Sequence, residues 1–467
     1  MMMDLRERVA IAFMGVSLLV TLGLGGAVAY ELGRPAGAST GAGGTASTGA
    51  GTTDTSGSAT VSGPTTGSGT AGTSGTAGTS GTAGHAVAGA GAARAPVSNA
   101  SIGVANGVIT VGGTYDETGV LDATVERDTV RAYFNQVNAA GGVNGYKFQL
   151  IDCDSAYDPT RGHQCSQQLL SANILAVVGW LSASSEQPET PFLTSHGMPI
   201  IGGLGVPAEF TDSSSYPLSI DLAKGATGQG LHAADIKTTD GKPIQAPGVV
   251  ALNTNFTQQV LDHLLAALHS KGIKEKDVIT VDATKPDYTD TVIKLRSEGA
   301  DSIIAGLDPF SYARFFQAMK RQNYNIRFYG SGLDKTSAEK QYQDQAFTTA
   351  ESLTPLVEPV GHEKDPAVAE YLGAVQKYFP RQMDALDVYS EGSWVAAKIF
   401  VEAVKRISGP VTRQSLLASL NGIKNFQTGL TVPISFSAGG AHDPNGCLQW
   451  IRQSGGTWQT YSGWNCF

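Results

Sequence analysis

From Ile102 onward the chain alternates short apolar runs with amphipathic stretches. VITVGG (108–113) is followed by helical spacing over 119–139, where Val130, Tyr133, Phe134 and Val137 share one face and Gly141-Gly142 supplies a stop. KFQLID, a helix near 165–170, ILAVVG, a helix over 186–196 and MPIIGG come next. The pattern restarts after Ala246-Pro247 with GVVALN, a helix over 256–271, VITV, a helix over 289–298, SIIAG, a helix over 310–322 and IRFYG. ESLTPLV, helices over 368–379 and 391–407, and β-type segments PISFS, LQWIRQ and TWQTYSGW complete it. Strand–helix alternation of this kind predicts α/β architecture, two doubly wound units whose parallel sheets carry helices on both faces. A ligand cleft is expected at the carboxyl ends of the strands.

The first hundred residues follow other rules. Residues 9–30 carry no charge, and as a helix they would rise about 33 Å, enough to cross a hydrocarbon core of roughly 30 Å. Arg6 and Arg8 precede the stretch, so the positive-inside rule sends the remainder of the chain outward. Segment 1–34 therefore reads as a membrane anchor, or as a signal peptide cut near Ala29. Residues 35–100 are almost wholly Gly, Ala, Ser and Thr, with GTAGTSGTAGTSGTAG repeated and only Asp54 and Arg94 charged. Such a composition buries too little to fold and predicts a disordered linker with a root-mean-square span of about 45 Å.

A formal net charge of -9 and the lack of a basic run argue against a nucleic-acid partner. The four cysteines, Cys153, Cys165, Cys447 and Cys466, have no CxxC spacing, and the eight histidines form no HExxH. Disulfides suit them better than zinc, with three connectivities possible and free thiols as the alternative. Enzymatic motifs are weak. GASTG at 37–41 spells GxSxG inside low complexity, Ser337–Lys340 spells SxxK without companions, and no GxGxxG or phosphate loop occurs. Asp152, Asp154 and Asp158 lack the glycine and terminal glutamate of a calcium loop. No catalytic residue, metal or cofactor is expected.

The ordered segments VNAAGGVNGYKFQLIDCDSAYDP, VVGWLSASS and MPIIGG resemble the first lobe of type I periplasmic solute-binding proteins of the branched-chain amino acid (Leu/Ile/Val) group. The stretch 288–334 is similar to their second lobe, and PISFSAGGAHDPNGCLQWIRQSGGTW to their C-terminal return. The resemblance implies lobe 1 from 101–222 and 356–430, lobe 2 from 223–355 and 431–467, and a ligand enclosed between them. It also implies a cargo of amino-acid or related carboxylate type and a permease of an ABC importer as partner. A tethered sensory module of the same fold is the alternative, and a hydrolase a more distant one.

Candidate ligand residues follow from the same comparison. Trp180, Ser182, Ala183, Ser184 and Ser185 form the loop opening the 186–196 helix, where the group grips a carboxylate; Ala183 stands where amino-acid binders usually have serine. Leu204 and Gly205 lie in the second loop, which lacks the group's threonine. Asn255 and Phe256 begin a helix of the second lobe, Asp308 and Asp334 occupy strand-end loops suited to an ammonium group, and Trp180 and Tyr115 would wall the site.

Overall fold

The computed structural model describes residues 101–333, 350–454 and 457–467. The anchor and linker expected over 1–100, Asp334 and the SxxK segment lie outside the described residues.

An Asn106-Gly107 turn, with φ of 50° and 75°, folds β1 (Val104–Ala105) back on β2 (Val108–Tyr115). Both turn residues take positive φ, the conformation that matches hairpin twist. Parallel strands β3 (Lys147–Asp154), β4 (Val177–Val178), β5 (Ile200–Ile201) and β6 (Ser215–Tyr216) complete a first sheet in the order β3-β2-β4-β5-β6. The second sheet repeats the scheme. Strands β7 (Gly248–Leu252), β8 (Asp277–Val281), β9 (Ser302–Gly306), β10 (Arg327–Tyr329) and β11 (Ala350–Thr354) run parallel in the order β8-β7-β9-β10-β11. Antiparallel β12 (Cys447–Ser454) and β13 (Thr457–Thr460) extend it, and β14 (Asn465–Cys466) pairs with β12.

Period-2 geometry sends successive side chains to opposite sheet faces, and the cores follow it. In the first sheet Val177 and Ile200 pack on one side with Leu169, Trp180 and Leu193, while Val178 and Ile201 pack on the other with Phe134, Trp394 and Phe400. In the second, Val249 and Ile304 face Leu261, Leu264 and Leu268, whereas Val250 and Ile303 face Phe315 and Phe316. Helices therefore cover both faces of each sheet.

Those helices are α1 (Thr124–Ala139), α2 (Pro159–Ser171), α3 (Glu186–Ser195), α4 (Leu222–His232), α5 (Thr257–Ser270), α6 (Thr289–Glu298) and α7 (Pro309–Arg321), then α8 (Pro366–Tyr378), α9 (Val388–Arg406) and α10 (Arg413–Asn421). The first starts at Thr124 rather than 119, because Gly119 holds φ at 96° and Asp122 accepts a bond from Thr124 N–H before the helix begins. PISFS is not a strand: Ile434 makes one isolated bridge, to Phe426. No described helix is long and apolar enough to cross a membrane.

Among the described residues the chain passes between the two sheets three times, near 217–221, 355–357 and 437–446. Asn445, fully buried, joins these passages: its Nδ2 donates to the Leu218 carbonyl at 3.2 Å and to the Pro355 carbonyl at 3.1 Å. Ile220, Leu353, Leu448 and Trp450 pack on one another where these passages meet the second sheet. Both short-range disulfides form, Cys153–Cys165 and Cys447–Cys466, closing loops of 12 and 19 residues.

Candidate functional site

In each sheet the strand order reverses direction beside the first strand, between β2 and β4 and between β7 and β9. Connections leave such a point on opposite faces and open a crevice at the carboxyl ends. A cavity of ≈ 180 Å³ lies against both crevices. Leu181, Ala183 and Leu204 line it from the first sheet's loops; Leu252, Thr254, Phe256, Leu307 and Asp308 line it from the second's. Val250, Val260, Leu261 and Leu264 deepen its apolar wall, and Tyr157, Gln229 and Ser331 add polar groups.

Four expected ligand residues thus lie on the cavity: Ala183, Leu204, Phe256 and Asp308. The others are placed differently. Trp180 is buried among Leu169, Leu193 and Met198 on the far face of the first sheet, because residue parity along the strand end turns it away from Leu181. Tyr115 packs in the first core and directs its hydroxyl to the Val178 carbonyl at 3.4 Å. Ser182 and Ser185 are buried and bond each other at 2.5 Å. The Ser184 hydroxyl is buried with no partner, Gly205 N–H donates to Glu209, and Asn255 is exposed.

Three acids that the sequence pattern left unmarked organise the first-sheet loops. Asp116, at the end of β2, accepts from Ala183 N–H at 2.9 Å, Tyr157 N–H at 2.9 Å, Ser155 Oγ at 2.7 Å and Ser182 Oγ at 3.2 Å. Glu186 opens α3 and bridges two loops, accepting from Ser182 N–H and Leu204 N–H, each at 2.7 Å. Glu209 accepts from Gly205 N–H at 3.1 Å. Burial raises the Asp116 carboxyl, although its hydrogen bonds pull it back. Burial pushes Glu186 up to about 7, and burial with the adjacent Glu186 charge pushes Glu209 well above the usual carboxyl range. The signal for Asp116 was available: it is the first polar residue beyond a strand at a topological switch point.

On the opposite wall Asp308 caps α7, accepting from Phe310 N–H at 3.0 Å and Ser311 N–H at 2.9 Å. The aspartates weighed for calcium are engaged locally. Asp152 meets Arg131 at 2.5 Å, Asp154 accepts from Thr118 and Ala156, and Asp158 caps α2. No group of metal-binding side chains occurs among the described residues.

Residues 108–457 match the profile of the family described as periplasmic binding protein. The chain belongs to that family. It is similar to an amino acid binding protein of Pseudomonas aeruginosa, 23% identical over 68% of this chain and 74% of that one. The Leu/Ile/Val-binding protein of Escherichia coli K12 is 26% identical over 44% of this chain, an alignment spanning 53%, about half, of that relative. Among solved structures, a fatty acid ABC transporter substrate-binding protein from Thermomonospora curvata superposes with a TM-score of 0.70 at 19% identity, over 79% of this chain and 95% of that one. A branched chain amino acid ABC transporter from Thermus thermophilus with bound valine superposes at 0.66 and 16% identity, over 77% and 97%. This periplasmic binding protein resembles the type I, branched-chain amino acid group in its relatives, and proteins of its family bind solutes. Membership and two disulfides agree on an extracytoplasmic setting for the folded part.

Proposed function

We propose that this chain captures a small amphipathic solute by closing its lobes, 101–222 with 356–430 and 223–355 with 431–467, and hands it to the permease of an ABC-type importer. The observation that carries the reading is the cavity between two switch points, lined from both sheets: a solute seated there touches both lobes and stabilises their closed arrangement by that difference in contact. Phe256, Leu204 and Ala183 would contact its apolar part. Amino acids and fatty acids are the cargo classes named for the relatives and are the first to try. Segments 1–34 and 35–100 would act as membrane anchor and flexible tether, holding the binding unit near its importer outside the membrane.

Solute released by denaturing purified full-length protein is identified by mass spectrometry, then added back while the radius of gyration is followed by X-ray scattering. A rise in melting temperature with a contraction is the expected result. If no small molecule co-purifies, shifts melting or contracts the protein, the solute-capture reading fails. Cell fractionation with N-terminal sequencing of the mature protein separates a retained anchor from cleavage near Ala29.

A further inference from the structure

The backbone N–H groups at strand ends are the usual means by which an open α/β sheet holds an anionic ligand. Here six of those at residues lining the cavity are engaged inside the protein. On the first lobe, Leu181 N–H donates to the Thr114 carbonyl at 3.1 Å, Ala183 N–H to Asp116 at 2.9 Å and Leu204 N–H to Glu186 at 2.7 Å. On the second, Leu307 N–H and Ser331 N–H both donate to the Tyr312 hydroxyl at 3.1 Å, and Thr254 N–H donates to Thr257 Oγ1 at 2.7 Å.

Two of the acceptors on the first lobe are the chain's own carboxyl groups, and they occupy the donors an incoming carboxylate would need. An anion placed against Ala183 would meet the Asp116 carboxylate at close range in a poorly solvated setting, where like charges repel strongly, and one placed against Leu204 would find its donor taken by Glu186. What the cavity still offers is apolar surface from Leu181, Leu204, Val250, Phe256, Leu261 and Leu264, with the Tyr157 side chain on its wall to meet a neutral oxygen, whereas Gln229 Nε2 donates to the Ala305 and Tyr329 carbonyls at 3.5 Å. A cavity of about 150 Å³ with aliphatic and aromatic walls is enough to hold a benzene ring, so ≈ 180 Å³ admits a short alkyl chain or a ring.

We propose that the solute of this site is an uncharged, predominantly apolar molecule bearing a hydroxyl or carbonyl oxygen, the in-chain carboxyl groups of Asp116 and Glu186 having taken the place of a ligand carboxylate. This rests on the solute-binding reading above and narrows its cargo. Discrimination then comes from the repulsive element as much as from fit.

Calorimetry of the full-length protein, stripped of co-purifying solute, with matched n-alkanols and n-alkanoates from hexyl to decyl, and with leucine, isoleucine and valine, tests the assignment. Each alkanol should bind at least about tenfold more tightly than the alkanoate of its length, roughly the 1.4 kcal/mol that a factor of ten represents, and than any of the amino acids. Alkanoate or amino-acid binding equal to or tighter than alkanol binding overturns the assignment while leaving solute capture intact. Binding of none of them overturns the assignment, and solute capture itself then stands or falls on the released-solute experiment. D116N should raise the alkanoate-to-alkanol affinity ratio at least about threefold; should D116N fail to fold, E186Q measured above pH 7, where Glu186 is charged, carries the same expectation. If the folded variant leaves the alkanol-to-alkanoate ratio where it was, the assignment is wrong.

Discussion

Glu186 and Glu209 are two acids in one buried place, joined to both loops that face the cavity from the first lobe. A carboxyl whose pKa is raised on folding binds more protons folded than unfolded between the two values, so its contribution erodes stability as pH climbs through that window. For Glu186 the window runs from its ordinary 4.5 to about 7. The wild type is therefore expected to lose melting temperature relative to E186Q between those pH values, and the difference should level off above the window; differential scanning fluorimetry across the range reads it. At this scale the sequence revealed less than at any other. Trp180 and Tyr115 looked like site walls because aromatics near a strand end suit that role, yet strand parity and core volume assigned both to packing. Asp116 and Glu209 went unmarked because an acid's role here depends on which N–H groups approach it, and those approach across 67 residues for Asp116.

Elements were far more legible. Helix α6 falls on its expected residues, and the starts of α2 and α7 are fixed by Asp-Pro pairs, Asp158-Pro159 and Asp308-Pro309, in which the acid caps and proline takes the first turn. Two helices had no expectation attached. The sequence of α4, LAKGATGQGLH, has three glycines and little apolar periodicity, and it persists because Gly230 lets α5 approach closely: a methyl group there would lie 2.7 Å from Ala267 Cβ. The short α10 is held by a local device, Thr412 and Ser415 capping each other's backbone. Thr412→Ala is expected to lower stability by about 1 kcal/mol, within the usual range for a lost cap, with little change in solute affinity. Urea denaturation against a binding titration of the same variant checks both halves.

At the scale of the whole molecule the doubling of an α/β unit was visible in the restart of the pattern after Ala246-Pro247. The crossings that join the units were not, because they are irregular and their chemistry is long-range. Asn445 is separated from Leu218 by 227 residues and from Pro355 by 90. Asn445→Ala would leave two buried carbonyls and the Cys447 N–H, which now donates to Asn445 Oδ1 at 3.1 Å, without this partner. A loss of about 1–3 kcal/mol is expected for such unpaired groups. The same variant should also bind its solute more weakly, since the crossings about which the lobes move would no longer be tied together; equilibrium unfolding and a titration at matched temperature measure the two effects.

Three strands of backbone fastened by one amide also have a mechanical meaning. A single connecting passage would let the lobes twist and slide as freely as they bend, whereas three passages tied side by side resist both and yield most readily to flexing across the bundle. The lobe tips then travel along nearly one path, with Asn445 as fulcrum and each sheet as a lever arm. A force that parts the tips does work along that same path, and the strain it applies is delivered to the cavity between the arms rather than lost in rotation.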